Sequence, residues 1–248
     1  MKSLFLATAA VAALSAAPAL AQTAPVGSIG ATYSSSNIDF GGSDLDADSV
    51  AIDGVVAVSA FSGWTATFAG AVDHNNDSDD TLGSGTAHLT RMTGSDVRFG
   101  GFAGVADLGG DTAYSAGAEV QKYLANATLT GTVAYTTADK SDVDVWTVGG
   151  DAAFYVQPNL RLNAGVSYSS IDAGPSLDLW TYGVGAEYEI SDTPFSVVAG
   201  YTRGDVEDVT VDTWNIGLRY SFGGGLQARD RAGAALPGTA INGLLGTL

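Results

Sequence analysis

The sequence predicts an all-β fold: a closed up-and-down antiparallel β-barrel of about twelve strands that spans a membrane. Three observations lead there. Large apolar side chains recur at every second position through most of the chain, while no stretch keeps the 3.6-residue period of a helix. The connections between apolar stretches alternate between compact and acidic. The apolar face carries aromatics near its ends, as at Trp64, Trp146, Trp180, Tyr188, Trp214 and Tyr220, the pattern of interfacial girdles.

The amino terminus sets the compartment. Met1-Lys2 precedes an apolar, Ala-rich run from Leu4 to Leu20, and Ala19 and Ala21 supply the small residues of an A-x-A site. Residues 1–21 therefore read as a secretory signal peptide. The run is too short, and too broken by Ser15 and Pro18, for a spanning helix. An exported chain with no cysteine has no disulfide framework, so its fold is held by other means. Its net charge of −17 argues against nucleic acid as a partner.

The barrel is expected over 22–225. Alternation marks strands near 26–36, 48–60, 63–74, 85–92, 96–108, 112–124, 127–138, 143–156, 160–171, 177–190, 195–205 and 210–222. In the tenth, Trp180, Tyr182, Val184, Ala186, Tyr188 and Ile190 oppose Thr181, Gly183, Gly185, Glu187 and Glu189. The fourth, "TAHLTRM", is the least regular, and it carries most of the alternative that the barrel has ten strands rather than twelve. Compact turns fall around Ser62, at Thr93–Asp96, Ala125–Ala127, Gln157–Asn159 and Ser191–Pro194. Acidic connections fall at Asp39–Asp48, Asp73–Asp80, Asp107–Asp111, Asp139–Asp144, Asp172–Asp178 and Asp205–Asp212. In an up-and-down barrel alternate connections share one end, so charge segregates as seen here. A periplasmic amino terminus places the compact turns in the periplasm and the acidic loops outside.

The last strand, "WNIGLRYSF" at 214–222, sets large apolar residues against Asn215, Gly217, Arg219 and Ser221. The signal peptide, the Gly-rich alternating meander and this aromatic strand end resemble the porin-like outer-membrane β-barrels of Gram-negative, particularly alphaproteobacterial, bacteria. The resemblance implies location in the outer membrane, with its lipids and lipopolysaccharide as surroundings, and recognition of the terminal aromatic by the barrel-assembly machinery. This chain departs from that pattern by continuing past Phe222. Gly223–Gly225 would release it from the sheet, and 226–248 are expected to form a flexible periplasmic tail.

The polar face carries the candidate function. As pore-lining residues it offers Asp53, Arg98, Glu119, Asp151, Arg161, Glu187, Glu189 and Arg219. The three arginines lie near compact turns, with Glu187 and Glu189 at similar height beside Arg161. Charges of both signs around a constriction select ions. The expected function is passive diffusion of small hydrophilic solutes or ions with a modest cation preference from the acidic mouth. The alternative is a non-conducting barrel, a surface receptor or envelope stabiliser, whose charges satisfy each other. The segment Asp73–Asp80 resembles the start of a calcium loop but has Ser78 where the turn glycine belongs and Ser84 at position twelve. A milder role for the acidic loops is holding divalent cations against lipopolysaccharide phosphates. Of two histidines, His74 follows Asp73 directly and His88 stands in "AHLTRM"; neither forms a dyad by spacing, so no enzyme is expected. No motif demands a cofactor, and oligomeric state is left open.

Overall fold

The computed structural model describes residues 24–236, Asp79 excepted. The proposed signal peptide and residues 237–248 lie outside the described residues. Twelve strands follow one another: β1 (Val26–Asp39), β2 (Asp44–Ser59), β3 (Trp64–Asn75), β4 (Thr81–Thr93), β5 (Val97–Asp107), β6 (Thr112–Tyr123), β7 (Ala127–Ala138), β8 (Asp144–Gln157), β9 (Leu160–Asp172), β10 (Ser176–Glu189), β11 (Phe195–Val206) and β12 (Val209–Phe222). Each pairs antiparallel with its neighbours in sequence, and β1 pairs with β12 over Gly27↔Phe222 to Asp39↔Thr210, closing the barrel. Closure leaves no edge, so the backbone of every strand is hydrogen-bonded within the sheet, as a chain that crosses lipid would require.

Twelve is therefore the count rather than ten. The irregular fourth segment is a full strand of 13 residues, paired on both sides. Its alternation is faint because the face carrying Leu89 also holds Gly83, Gly85, Ala87 and Arg91. Pairing with β3 and β5 supplies the stability that its own side chains do not.

The oily face points outward. Ile216 and Leu218 on β12 are 58% and 61% exposed, and Val184, Val148 and Ile52 stand out in the same way. Strands of 11 to 16 residues meet or exceed the 9–11 that a bilayer requires. The surplus carries much of the acidity: Asp39, Asp44, Asp46 and Asp48 belong to strand ends, and the connections beyond them are as short as the compact turns. Val209 begins β12 only three residues after β11 ends at Val206.

A repeated clip decorates the rim at the acidic end. On three successive hairpins a tyrosine faces a tryptophan across the strands: Tyr135↔Trp146, Tyr168↔Trp180 and Tyr201↔Trp214. Their ring centroids lie 5.0, 5.1 and 4.6 Å apart. Each tyrosine hydroxyl donates to an aspartate two residues before the tryptophan: Asp144 at 2.6 Å, Asp178 at 2.6 Å, and Asp212. Such pairs add packing and a polar anchor at the ends of the strands. This Asp-x-Trp repeat went unread in the sequence because its tyrosine partner is distant along the chain.

The tail departs from expectation. A helical turn, Leu226–Arg229, and a wide turn, Asp230–Ala234, fold back into the compact-turn end of the barrel. Leu226, Asp230 and Leu236 are 2%, 2% and 4% exposed. The flexible tail expected from 226 onward is corrected over 226–236, because buried polar partners hold this segment. Gly223 makes the reversal: its φ is +85°, and a Cβ there would stand 2.8 Å from the Pro25 carbonyl oxygen.

Candidate functional site: the charged inner end of the lumen

Away from the tail the inward face is built of small polar side chains. Ser36 and Thr213 share a hydrogen bond of 2.8 Å, as do Thr147 and Ser169, and Asn163 and Asn215 stand on the same face beside glycines of neighbouring strands. Short side chains leave width, and hydroxyls and amides offer bonds to water or solute.

At the compact-turn end this face becomes charged, and register decides which charges meet. Gly30 on β1 lies between Asp53 on β2 and Arg219 on β12. With no side chain at Gly30, Arg219 Nη2 reaches over it and donates to Asp53 Oδ2 at 3.0 Å; a Cβ there would sit 2.8 Å from Asp53 Oδ1. Glu187 on β10 stands directly opposite Arg161 on β9, with 3.6 Å between Oε2 and Nη2. Arg219 Nη1 lies 4.0 Å from the same Glu187 oxygen. Five of the sequence-predicted residues thus converge, once Glu189 is added through Arg229 of the tail. Arg229 Nη2 is 3.2 Å from Glu187 Oε1 and 3.5 Å from Glu189 Oε2, and its Nη1 donates to Ser221 Oγ.

The other three candidates stand elsewhere on the wall. Arg98 is buried, its Nε donating to the Tyr123 hydroxyl and its Nη1 to Thr90, both at 2.9 Å, and its Nη2 to the carbonyl of Arg231 at 2.9 Å. Glu119 accepts from His88 Nδ1 at 3.0 Å, with both side chains 1% exposed and the Phe102 ring against the imidazole, centroids 5.3 Å apart. Register places the histidine and the glutamate on one inner surface, two strands apart, where sequence spacing showed no dyad. Asp151 faces the lumen on β8, opposite Thr130 and Gly165.

The sequence reading missed the tail's contribution. Asp230 accepts from Thr128 at 2.6 Å and from the Tyr155 hydroxyl. Thr67 donates to the Gly233 carbonyl at 2.9 Å and Gln121 to that of Ala235 at 3.0 Å. Leu226 packs against Ala153 and Tyr155. Two signals were present: Phe102, Tyr123 and Tyr155 set aromatic rings on the polar face, and Arg229, Asp230 and Arg231 interrupt an uncharged tail.

Around this end carboxylates outnumber guanidinium groups: Asp53, Glu119, Asp151, Glu187, Glu189 and Asp230 against Arg98, Arg161, Arg219 and Arg229. A small cavity remains between Arg161, Glu187 and Arg219 of the wall and Arg229 and Asp230 of the tail. At the opposite end, Asp77 accepts from the Asp48 amide at 2.8 Å, and Asn75 from the amides of Asp77 and Ser78 at 2.9 Å. Among the described residues no group of three or more His, Asp or Glu side chains is arranged to hold a metal ion.

Residues 6–222 match the model of the outer membrane protein β-barrel domain. The chain belongs to that family. Solved structures agree on the fold. An outer-membrane channel from Pseudomonas putida F1 superposes with a TM-score of 0.59 at 12% identity, over 82% of this chain and 97% of that one. The KdgM porin in complex with disordered oligogalacturonate gives 0.57 at 13% identity, covering 79% and 99%. The translocator domain of the autotransporter NalP from Neisseria meningitidis gives 0.52 at 12% identity, covering 87% and 98%. No curated protein sequence matches the chain. At such identities the likeness is one of fold.

Proposed function

We propose that the protein is an outer-membrane channel for passive diffusion of small hydrophilic solutes or ions, with a modest cation preference. The observation that carries this reading is the division of faces: oil outside, and inside a wall of Ser, Thr, Asn and Gly leading to paired charges of both signs. A lumen so lined wets and binds solutes weakly, as diffusion requires. Acidic strand ends at the outer mouth raise local cation concentration. On this reading the surroundings are outer-membrane lipid and lipopolysaccharide, with divalent cations bridging the acidic rim to phosphates, and the barrel-assembly machinery reads the strand ending at Phe222.

A second reading, a non-conducting barrel acting as receptor or envelope stabiliser, is favoured by one observation: the tail fills the inner end and satisfies wall charges. A catalytic reading has little support, since the His88–Glu119 pair is sealed from solvent.

The test is current across a planar bilayer holding the refolded protein under a salt gradient. A channel gives discrete steps with a cation-shifted reversal potential, and Arg161→Ala and Arg219→Ala each deepen that shift. Unchanged potentials in both variants would remove these arginines from the conduction path. Silence from heat-modifiable, folded wild type and from variants with a released tail would favour the non-conducting barrel.

A further inference from the structure

The wall treats the tail as a recognised peptide. Its backbone carbonyls at Arg231, Gly233 and Ala235, alternate residues along the segment, each accept from a different wall side chain: Arg98, Thr67 and Gln121 at 2.9, 2.9 and 3.0 Å. These donors come from β5, β3 and β6, so the groove is assembled by the barrel rather than by one element. Side chains are read too. The carboxylates of Glu187 and Glu189 with the Ser221 hydroxyl receive the Arg229 guanidinium, and the hydroxyls of Thr128 and Tyr155 receive the Asp230 carboxylate.

Shape is matched as well. Gly233 has φ +93°, and a Cβ there would meet Arg98 Nη1 at 3.1 Å, so the closest approach falls where the side chain is absent. At the rim, Gln227 and Arg231 bond to carbonyls of the β6–β7 turn at Ala125, at 2.8 and 3.2 Å. The segment enters from the compact-turn side.

We propose that the inner end of the barrel is a peptide-binding site whose resident ligand is the chain's own segment Leu226–Leu236, and that release of this segment opens the lumen. The ligand class is a short peptide carrying an arginine followed by an aspartate. The binding half stands on these contacts alone; the opening half rests on the channel reading above. Hydrogen bonds to charged groups set the expected loss for each side chain removed, on the order of 10- to 100-fold in affinity.

The experiment uses the full chain carrying Arg229→Ala with Asp230→Ala, which weakens the resident ligand and leaves every wall residue intact. A fluorescent synthetic peptide of residues 225–236 is titrated against it, with anisotropy as the readout, beside a peptide carrying Arg229→Ala. Bilayer conductance is recorded in parallel. The double variant should bind the native peptide, bind the altered peptide about 10- to 100-fold more weakly, conduct more than wild type, and be blocked by native peptide added on the compact-turn side. Equal binding of the two peptides, or none of either, overturns the site. Peptide binding with unequal affinities but equal conductance of wild type and variant overturns the opening half. Discriminating binding with no current from any form leaves the site standing and removes the channel reading instead. Should the double variant lose heat-modifiable migration, Arg229→Ala alone supports the same comparison, since Asp230 keeps Thr128 and Tyr155.

Discussion

Replacing Ile216 with arginine puts the outward assignment of the apolar face at risk most directly. Ile216 is 58% exposed on β12, between Trp214 toward the acidic end and Tyr220 toward the compact-turn end. If lipid surrounds that surface, Ile216→Arg places a guanidinium near the middle of the apolar band, at a cost of about 2–4 kcal/mol. Thr210, six residues away on the same face, supplies the internal control. Six residues span roughly 20 Å along a strand, which a tilt near 45° reduces to roughly 14 Å of depth. That distance exceeds half of an apolar band about 25 Å tall, so Thr210→Arg should cost only about 0–1 kcal/mol. The assay is reversible urea unfolding in phospholipid vesicles, followed by tryptophan fluorescence. Equal destabilisation by the two arginines would refute the placement of this face in lipid.

Three further outcomes follow from individual contacts. Glu119→Ala strips His88 of its buried partner and should lower unfolding stability by about 1–3 kcal/mol, read from the urea midpoint, while Glu119→Gln keeps an acceptor and should lose less. Gly223→Ala forces a side chain into a left-handed bend against the Pro25 carbonyl, a strain of about 1–3 kcal/mol. Trypsin should then cleave at Arg229 and Arg231 in open membranes where wild type resists; equal resistance would show that the bend does not govern docking. At the acidic end, the Ser141 hydroxyl, aided by the amides of Thr112, Lys140 and Ser141, holds the Asp111 carboxyl down to about 2 from its ordinary 3.8. A depressed carboxyl stabilises its anchor above the ordinary value and loses that contribution as pH falls toward 2. The protection of the Lys140 and Ser141 amides, taken relative to the intrinsic exchange rate at each pH, should therefore fall on acidification from pH 5 to 2, and Asp111→Asn should flatten that dependence.

The alternation was legible because a strand with oil on one side and water on the other must repeat every two residues. Trp214, Ile216, Leu218 and Tyr220 announce their face whatever surrounds them. Register was not legible. Arg161 and Glu187 were placed at similar height, but that Arg219 reaches Asp53 over Gly30 depends on the seam between β12 and β1, which joins the two ends of the chain. The same applies to His88 and Glu119, whose contact crosses β5, and to the three tyrosine–tryptophan clips.

By itself, then, the sequence determined the barrel class, the division of faces, the segregation of acid to one end and the gathering of lumen charge at the other. These follow from local periodicity and composition, which every strand carries independently. Tertiary structure alone decided that β4 is a full strand, which charges pair, and that residues 226–236 lie inside the lumen. Each depends on groups far apart in the chain. A tail rich in Ala, Gly and Leu with three charges has no periodicity to declare its place; only the closed wall, with its carboxylates, hydroxyls and amide donors at one end, gives it partners.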